Sequence, residues 1–292
     1  MSGHAPDIGG HLHTSTAGSP WDLAILAGLA ISGWLYWRGS RRLAARRARV
    51  RPAERVAFWI GWATAVAALM PQVDEAAAEL FSVHMAQHEV LMLIVAPLMI
   101  AGRPILPWLW ALPDGVRGRA SRSMSGGVIS STWTWLTMPL VAWAFHGLTI
   151  WIWHLPALYQ AAVRNDGIHT VQHAMFVGTA ALFWWGLVYG RYGRAAYGAA
   201  VLYVFATLVH TGLLGAMFTL SERTFYPFYV QRAAGAGIDP VADQQLAGLY
   251  MWVPSGIVLT LFGLALFAAW LGEAERRVGS ANLREHGALK RC

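Results

Sequence analysis

Seven apolar stretches, separated by polar or arginine-bearing sequence, constrain what this chain can become more than any other feature. They fall near residues 21–37, 56–71, 81–101, 131–153, 170–189, 197–220 and 246–271. About 20 residues of helix cross a bilayer core, and 56–71 is the shortest of the seven. Within hydrocarbon every backbone N–H and C=O needs a partner from the protein, which restricts spans to helices or closed barrels. The segment lengths and the lack of period-two alternation select helices. Charged residues make up 13% of the 292-residue chain, against about 25% in soluble domains. The expected fold is all-α: a polytopic membrane bundle of seven transmembrane helices, with no second domain.

Arginine placement sets the expected orientation. Segments 38–55, 102–130, 190–196 and 272–292 hold 19 of the 22 Lys and Arg residues, and the alternate segments keep only Arg164, Arg223 and Arg232. By the positive-inside bias the N-terminus lies outside and the C-terminus in the cytoplasm. Residues 1–20 then form an outer polar tail, 21–271 the membrane domain and 272–292 a cytoplasmic basic tail. The net charge of +7 follows this topological distribution, so nucleic acid is not an expected partner. The run Arg41-Arg42-Leu-Ala-Ala-Arg46-Arg47 reads as a topology anchor, with acidic lipid or an acidic partner as the other reading. Trp34-Leu35-Tyr36-Trp37, Trp151-Ile152-Trp153 and Trp184-Trp185 fit interfacial aromatic belts. Segment 221–245 reads as an irregular outer loop. The N-terminus lacks a basic n-region and a cleavage pattern, so no signal peptide is expected. The single cysteine, Cys292, rules out an intrachain disulfide, and neither a cysteine metal site nor a cysteine nucleophile is expected.

Histidine placement points to chemistry. Residues 84–88 read His-Met-Ala-Gln-His and residues 169–173 read His-Thr-Val-Gln-His. Histidines four apart share one face of a helix, one turn above the other. His154, His146 and His210 lie on neighbouring spans; at about 1.5 Å per residue, His146 is roughly 12 Å deeper than His154. All seven fall in the half of the membrane expected to face outward. Ionisable residues in a span are costly and mark function by default. A lone membrane histidine is often an interhelical hydrogen bond; two matched pairs with the same orientation, plus three more histidines on adjacent spans, predict a metal site. Gln87 and Gln172 could orient the imidazoles or bond backbone across a helix interface. Imidazole suits zinc, copper and iron, and thioether shifts preference towards Cu(I). Met85 is the best-placed methionine, with Met92, Met99, Met217 and Met251 behind it; a methionine stripe can equally be packing.

Carboxylates complete the polar set. Asp74, Glu75 and Glu79 precede the His84 helix, and Asp243 and Gln244 open the seventh span. They could attract a cation or solvate a loop. Glu89, inside an apolar run, could accept a proton or bond an imidazole. His4, His11 and His13 stand in the N-terminal tail, and a chain starting at Ser2-Gly3-His4 could offer Cu(II) a tetragonal nitrogen set.

These blocks also resemble a known family. The run from His84 to Pro104, the segments Trp153–Tyr159, His169–His173 with Phe183-Trp184-Trp185, and Asp243–Pro254 are similar to the seven-helix CtaG-type cytochrome c oxidase assembly factors. The resemblance covers about residues 80–255 in the right order. It implies a bacterial inner-membrane protein that helps mature haem-copper oxidases, with oxidase subunits as partners and a periplasmic copper donor upstream. A one-span, cysteine-containing copper chaperone shares the family's name, and this chain has neither of its features. The second His unit also departs from the first, with Thr170 and Val171 where the first has Met85 and Ala86, so a methionine ligand would belong to only one half.

Three functional classes follow. The first is a non-enzymatic copper-handling assembly factor. The second is a zinc hydrolase with three histidine ligands and Glu89 or Asp243 as base. The third is a haem carrier with an axial histidine from each of two helices.

Overall fold

The computed structural model describes residues 20–189 and 196–289, with backbone alone at 196–198, 273–274 and 277–289. His4, His11, His13 and Cys292 lie outside the described residues. Fourteen helices and one π-helical turn follow one another: α1 Pro20–Ala45, α2 Pro52–Ala68, α3 Pro71–Glu79, α4 Phe81–Val90, the π turn Leu91–Val95, α5 Ala96–Ala101, α6 Ile105–Ala111, α7 Asp114–Ser125, α8 Gly127–Leu136, α9 Pro139–Trp153, α10 Pro156–Ala162, α11 Asp166–Tyr189, α12 Ala196–Thr219, α13 Pro227–Gly235 and α14 Pro240–Leu289. No strand occurs among the described residues. Proline occupies the first turn of α2, α3, α9, α10 and α13, where its missing N–H costs nothing and its fixed φ suits the helix.

Among the described residues, four helical stretches are long and apolar enough to cross a membrane: Phe81–Ala101, Asp166–Tyr189, Ala199–Thr219 and Pro240–Gly272. Two bent pairs, α2 with α3 at 53° and α8 with α9 at 70°, raise the number to six if each pair is one span. Proline opens the second helix of both pairs. Large apolar side chains point outward along these helices, among them Leu202, Phe205, Val209 and Leu213 on α12, as lipid contact requires.

The stretch formed by α4, the π turn and α5 is central. It packs against α14, α11 and α2, while α9 joins α11 to α12 and α1 pairs with α6. The α12–α14 interface is close because Gly215 and Gly248 face each other: a Cβ on Gly248 would stand 2.6 Å from the Gly215 carbonyl oxygen.

Pro97 explains the π turn. It has no N–H to give the carbonyl one turn back, and its ring crowds that turn. The Ala96 N–H bonds the Leu91 carbonyl instead, a five-residue span. The Met92 carbonyl is thereby freed, and the Trp184 indole N–H donates to it at 2.9 Å.

Several expectations are corrected here. Trp184 is buried and serves that carbonyl, rather than standing in an interfacial belt; Trp153 and Tyr36 are buried as well, whereas Trp34 and Trp37 are exposed. Segment 221–245 is not wholly irregular, since it carries α13, and α14 begins within it. The basic tail from residue 272 continues α14 as far as Leu289. In the basic run, Arg42 donates to the carbonyls of Ala111 (3.2 Å) and Leu112 (2.8 Å), closing the end of α6.

Candidate metal centre

The matched pairs meet. His84 and His88 on α4 face His169 and His173 on α11, and one ligand atom from each lies within 4.8 Å of all the others. Ring centroids are 5.0 Å apart for His84 and His169, 5.0 Å for His88 and His173, and 4.1 Å for His169 and His173. A tetrahedral ion at about 2.0–2.1 Å from each nitrogen sets nitrogens roughly 3.3 Å apart, so a small closure of the rings completes the shell. His84, His88 and His173 are buried and His169 is half-buried.

Hydrogen bonding fixes the first ring. The Tyr229 hydroxyl donates to the Ala77 carbonyl at 3.0 Å, so the 3.0 Å contact between that hydroxyl and His84 Nδ1 has the imidazole as donor. In the neutral ring, His84 Nε2 then carries a lone pair. It stands 3.0 Å from His88 Nε2. His88 Nδ1, His169 Nε2 and His173 Nε2 are buried without a protein partner. Buried polar atoms are normally satisfied, and several orphaned imidazole nitrogens at one place are the mark of a ligand site.

Tyr229 comes from α13, the helix not expected in the loop. Its hydroxyl also meets that of Tyr159 at 3.3 Å, and Phe81 packs edge-on against Tyr159, Phe218 and Tyr226. Replacing Tyr229 by Phe is expected to lower metal affinity about ten- to hundredfold, the usual effect of losing a partner that orients a ligand. Competition with a chromogenic chelator would measure it, and unchanged affinity would show that the tautomer is set elsewhere.

A cleft of about 60 Å³ leads to the cluster, bordered by His84, His169 and His173 and by Asp22, Asp74 and Asp166. Asp22 and Asp166 were not apparent from the sequence: each is a single acid at a helix start, and only the fold sets them on one rim. Asp74 lies on α3, past the apolar stretch of α2. Burial pushes its carboxyl up to about 6, against the Gln87 hydrogen bond, which pulls it down; Asp22 and Asp166 add to the rise. The rim therefore loses negative charge as pH falls through about 6. Metal uptake is expected to slow across that range, and in Asp74→Asn this component should vanish while any step from histidine protonation stays. Stopped-flow uptake against pH is the measurement, and identical profiles would remove Asp74 from the route.

The other predicted residues separate into distinct places. Gln87 donates to the Ala68 carbonyl (2.9 Å) and to Asp74 Oδ1 (2.6 Å), tying the cluster helix to α2 and α3. Gln172 is fully buried on α11. Asp243 does not face the cluster: its carboxylate accepts the Phe81 N–H (2.8 Å) and the Ser82 N–H (3.2 Å), capping α4. Gln244 accepts from the Phe225 N–H and donates to the Arg223 carbonyl, pinning the segment before α13. His154 adjoins Met85 rather than the four rings, its Nε2 3.4 Å from the sulfur. His146 bonds Thr179 (3.1 Å) and shares a small cavity with Glu89. His210 lies against Trp143 and Gly147 of α9.

A bundle of apolar helices around four converging imidazoles defines a helical membrane protein with a histidine cluster near the start of two of its spans. The chain belongs to the cytochrome c oxidase caa3 assembly factor family, Caa3_CtaG, whose profile matches residues 34–273. It is also similar to an uncharacterised protein of Mycobacterium bovis, 27% identical over 231 residues, a stretch that takes in 76% of this chain and 35% of that protein. A protein of Mycobacterium leprae, likewise uncharacterised, is 25% identical over 229 residues, covering 74% of this chain and 34% of its own length. The chain thus spans about a third of the length of these curated relatives. No solved structure matches it.

Proposed function

We propose that this assembly factor binds copper at His84, His88, His169 and His173 and hands it to a haem-copper oxidase subunit in the same bacterial inner membrane. The observation that carries the reading is the convergence of four imidazoles, three of them with ring nitrogens that are buried and unpartnered. The arginine distribution supports seven spans with the N-terminus outside, α1 being the seventh beside the six of the bundle. The cleft and its three aspartates then open to the periplasm, where a copper donor could load the site. The ion is cargo, so binding need only be strong enough to hold it between donor and recipient. Four nitrogens without cysteine thiolate suit such an exchangeable site.

The alternatives fit less well. A hydrolase needs a base at the metal, but Asp243 is engaged with the start of α4 and Glu89 borders the cavities near His154 and His146. A haem needs far more room than a cleft of about 60 Å³, since cofactor pockets hold roughly 300–1,000 Å³.

The test is metal content of detergent-purified protein, wild type against His169→Ala/His173→Ala, after exposure to Cu(I) or Zn(II). A copper equivalent and the Zn(II) retained by the wild type and lost from the variant are the expected result. Stoichiometric zinc with no copper uptake would favour the hydrolase, and a Soret band would favour haem.

A further inference from the structure

The sulfur of Met85 and the Nε2 of His154 face each other 3.4 Å apart in a buried setting. His154 Nδ1 is 2.7 Å from the Ile150 carbonyl oxygen, which can only accept, so the ring's proton sits on Nδ1. In the neutral ring Nε2 is then a bare lone pair. A thioether has no proton to offer either. Two electron-pair donors are thus held face to face with nothing between them to share, an arrangement that a cation resolves.

The surroundings suit one kind of cation. Met85 on α4, Met92 on the π turn and Met251 on α14 border a cavity of about 20 Å³, with His154 at the end of α9. That is room for one water-sized or ion-sized occupant. All four residues are buried. His88, Glu89 and Thr211 add polar groups to the wall, and Ile150 and Leu214 complete it. His88 is shared with the four-histidine cluster: its Nε2 faces His84, and its Nδ1 is buried with no partner. Glu89 Oε2 is also buried and unpartnered. Thioether and imidazole together select a soft monovalent ion.

We propose that Met85, Met92, Met251 and His154 form a second metal site, selective for a soft monovalent ion of the Cu(I) class, stacked against the four-histidine cluster through His88. The two sites differ in donor chemistry. The upper offers only nitrogen and accepts Zn(II) or copper. The lower offers mostly sulfur and rejects Zn(II). An ion entering by the aspartate rim meets nitrogen first and sulfur second, so reduced copper is drawn inward while competing divalent ions stop at the first station.

This inference rests on the reading of the chain as a copper carrier, and the experiment separates the two. Full-length protein in detergent is titrated anaerobically with Cu(I) against a chromogenic chelator, with Ag(I) in parallel and Zn(II) separately. X-ray absorption of the copper-loaded sample reports sulfur in the shell. The wild type should take up one more equivalent of Cu(I) or Ag(I) than of Zn(II), with a sulfur contribution. Met85→Leu/Met251→Leu nearly conserves volume. It should lose the extra equivalent and the sulfur signal while keeping its Zn(II) capacity, which also reports that it is folded. His169→Ala/His173→Ala should lose Zn(II) and keep the sulfur-bound ion. A Met85→Leu/Met251→Leu protein that keeps the extra equivalent, or copper bound without sulfur, overturns the second site and leaves the first standing. Absence of both Zn(II) and Cu(I) binding overturns both.

Discussion

A His88→Ala/His173→Ala double variant is expected to be made and inserted in the membrane at near-normal level, yet to leave its oxidase without copper and inactive. Each substitution removes one imidazole from a different helix, so the remaining His84 and His169 cannot close a shell across the α4–α11 contact. Metal affinity should fall by more than about 100-fold, beyond the usual loss from removing a residue that merely orients a ligand. The measurement is copper per oxidase in membranes of a strain carrying the variant in place of the wild type, alongside immunodetection of the factor itself. Oxidase with full copper would mean that the cluster does not supply it. The family role in assembly would then rest on protein contacts alone. Because His88 borders both proposed sites, His173→Ala by itself should impair the upper site only and give a milder defect at high external copper.

The second large effect concerns stability. Asp243→Ala should lower the melting temperature of the purified protein markedly, at a cost of about 2–3 kcal/mol. The Asp243 side chain is buried and accepts both the Phe81 and the Ser82 N–H, the first free donors of α4. Alanine leaves those donors unpaired and removes a negative charge from the positive end of a helix. The helix so anchored carries His84, Met85 and His88, so the protein that remains folded should also bind metal less tightly, through displacement rather than loss of a ligand. Asp243→Asn, which keeps one accepting oxygen, should fall between the two. Scanning fluorimetry with chelator and with Zn(II) separates the terms: a metal-induced rise in melting temperature that survives in Asp243→Ala is expected. A melting temperature equal to wild type would show that α4 does not depend on this cap.

How much of this was legible beforehand varies by residue. The two H-x-x-Q-H units carry their geometry locally, because four-residue spacing on a helix puts both rings on one face whatever surrounds them. That they would face each other was a reasonable expectation, since both open their spans at the same end. Asp243 was visible as an acid opening the seventh span, but not its role: its partners are 162 and 161 residues away in the chain. Tyr229 was hidden for a similar reason. It lies in a segment rich in glycine and alanine that reads as loop, and only tertiary packing on α3 and α14 makes α13 a helix that reaches His84. The Met85–His154 pair could be guessed as two separate candidates. Their opposition could not, because nothing local relates a residue on α4 to the residue that follows α9.

The sequence alone determined that this chain is helical and membrane-embedded and that its histidines are matched in pairs, because hydrophobic length and i,i+4 spacing act within one segment. The tertiary structure decided which histidines converge. Four meet because α11 packs against the π turn and α5 that continue α4, which brings the histidine-bearing starts of the two spans together. His154 is turned to sulfur by the carbonyl one turn below it, and His146 and His210 are left apart with α9 and α12. Those choices depend on how helices far apart in sequence cross and pack, and on which carbonyl or hydroxyl holds each ring's proton. That information exists only once the bundle has formed.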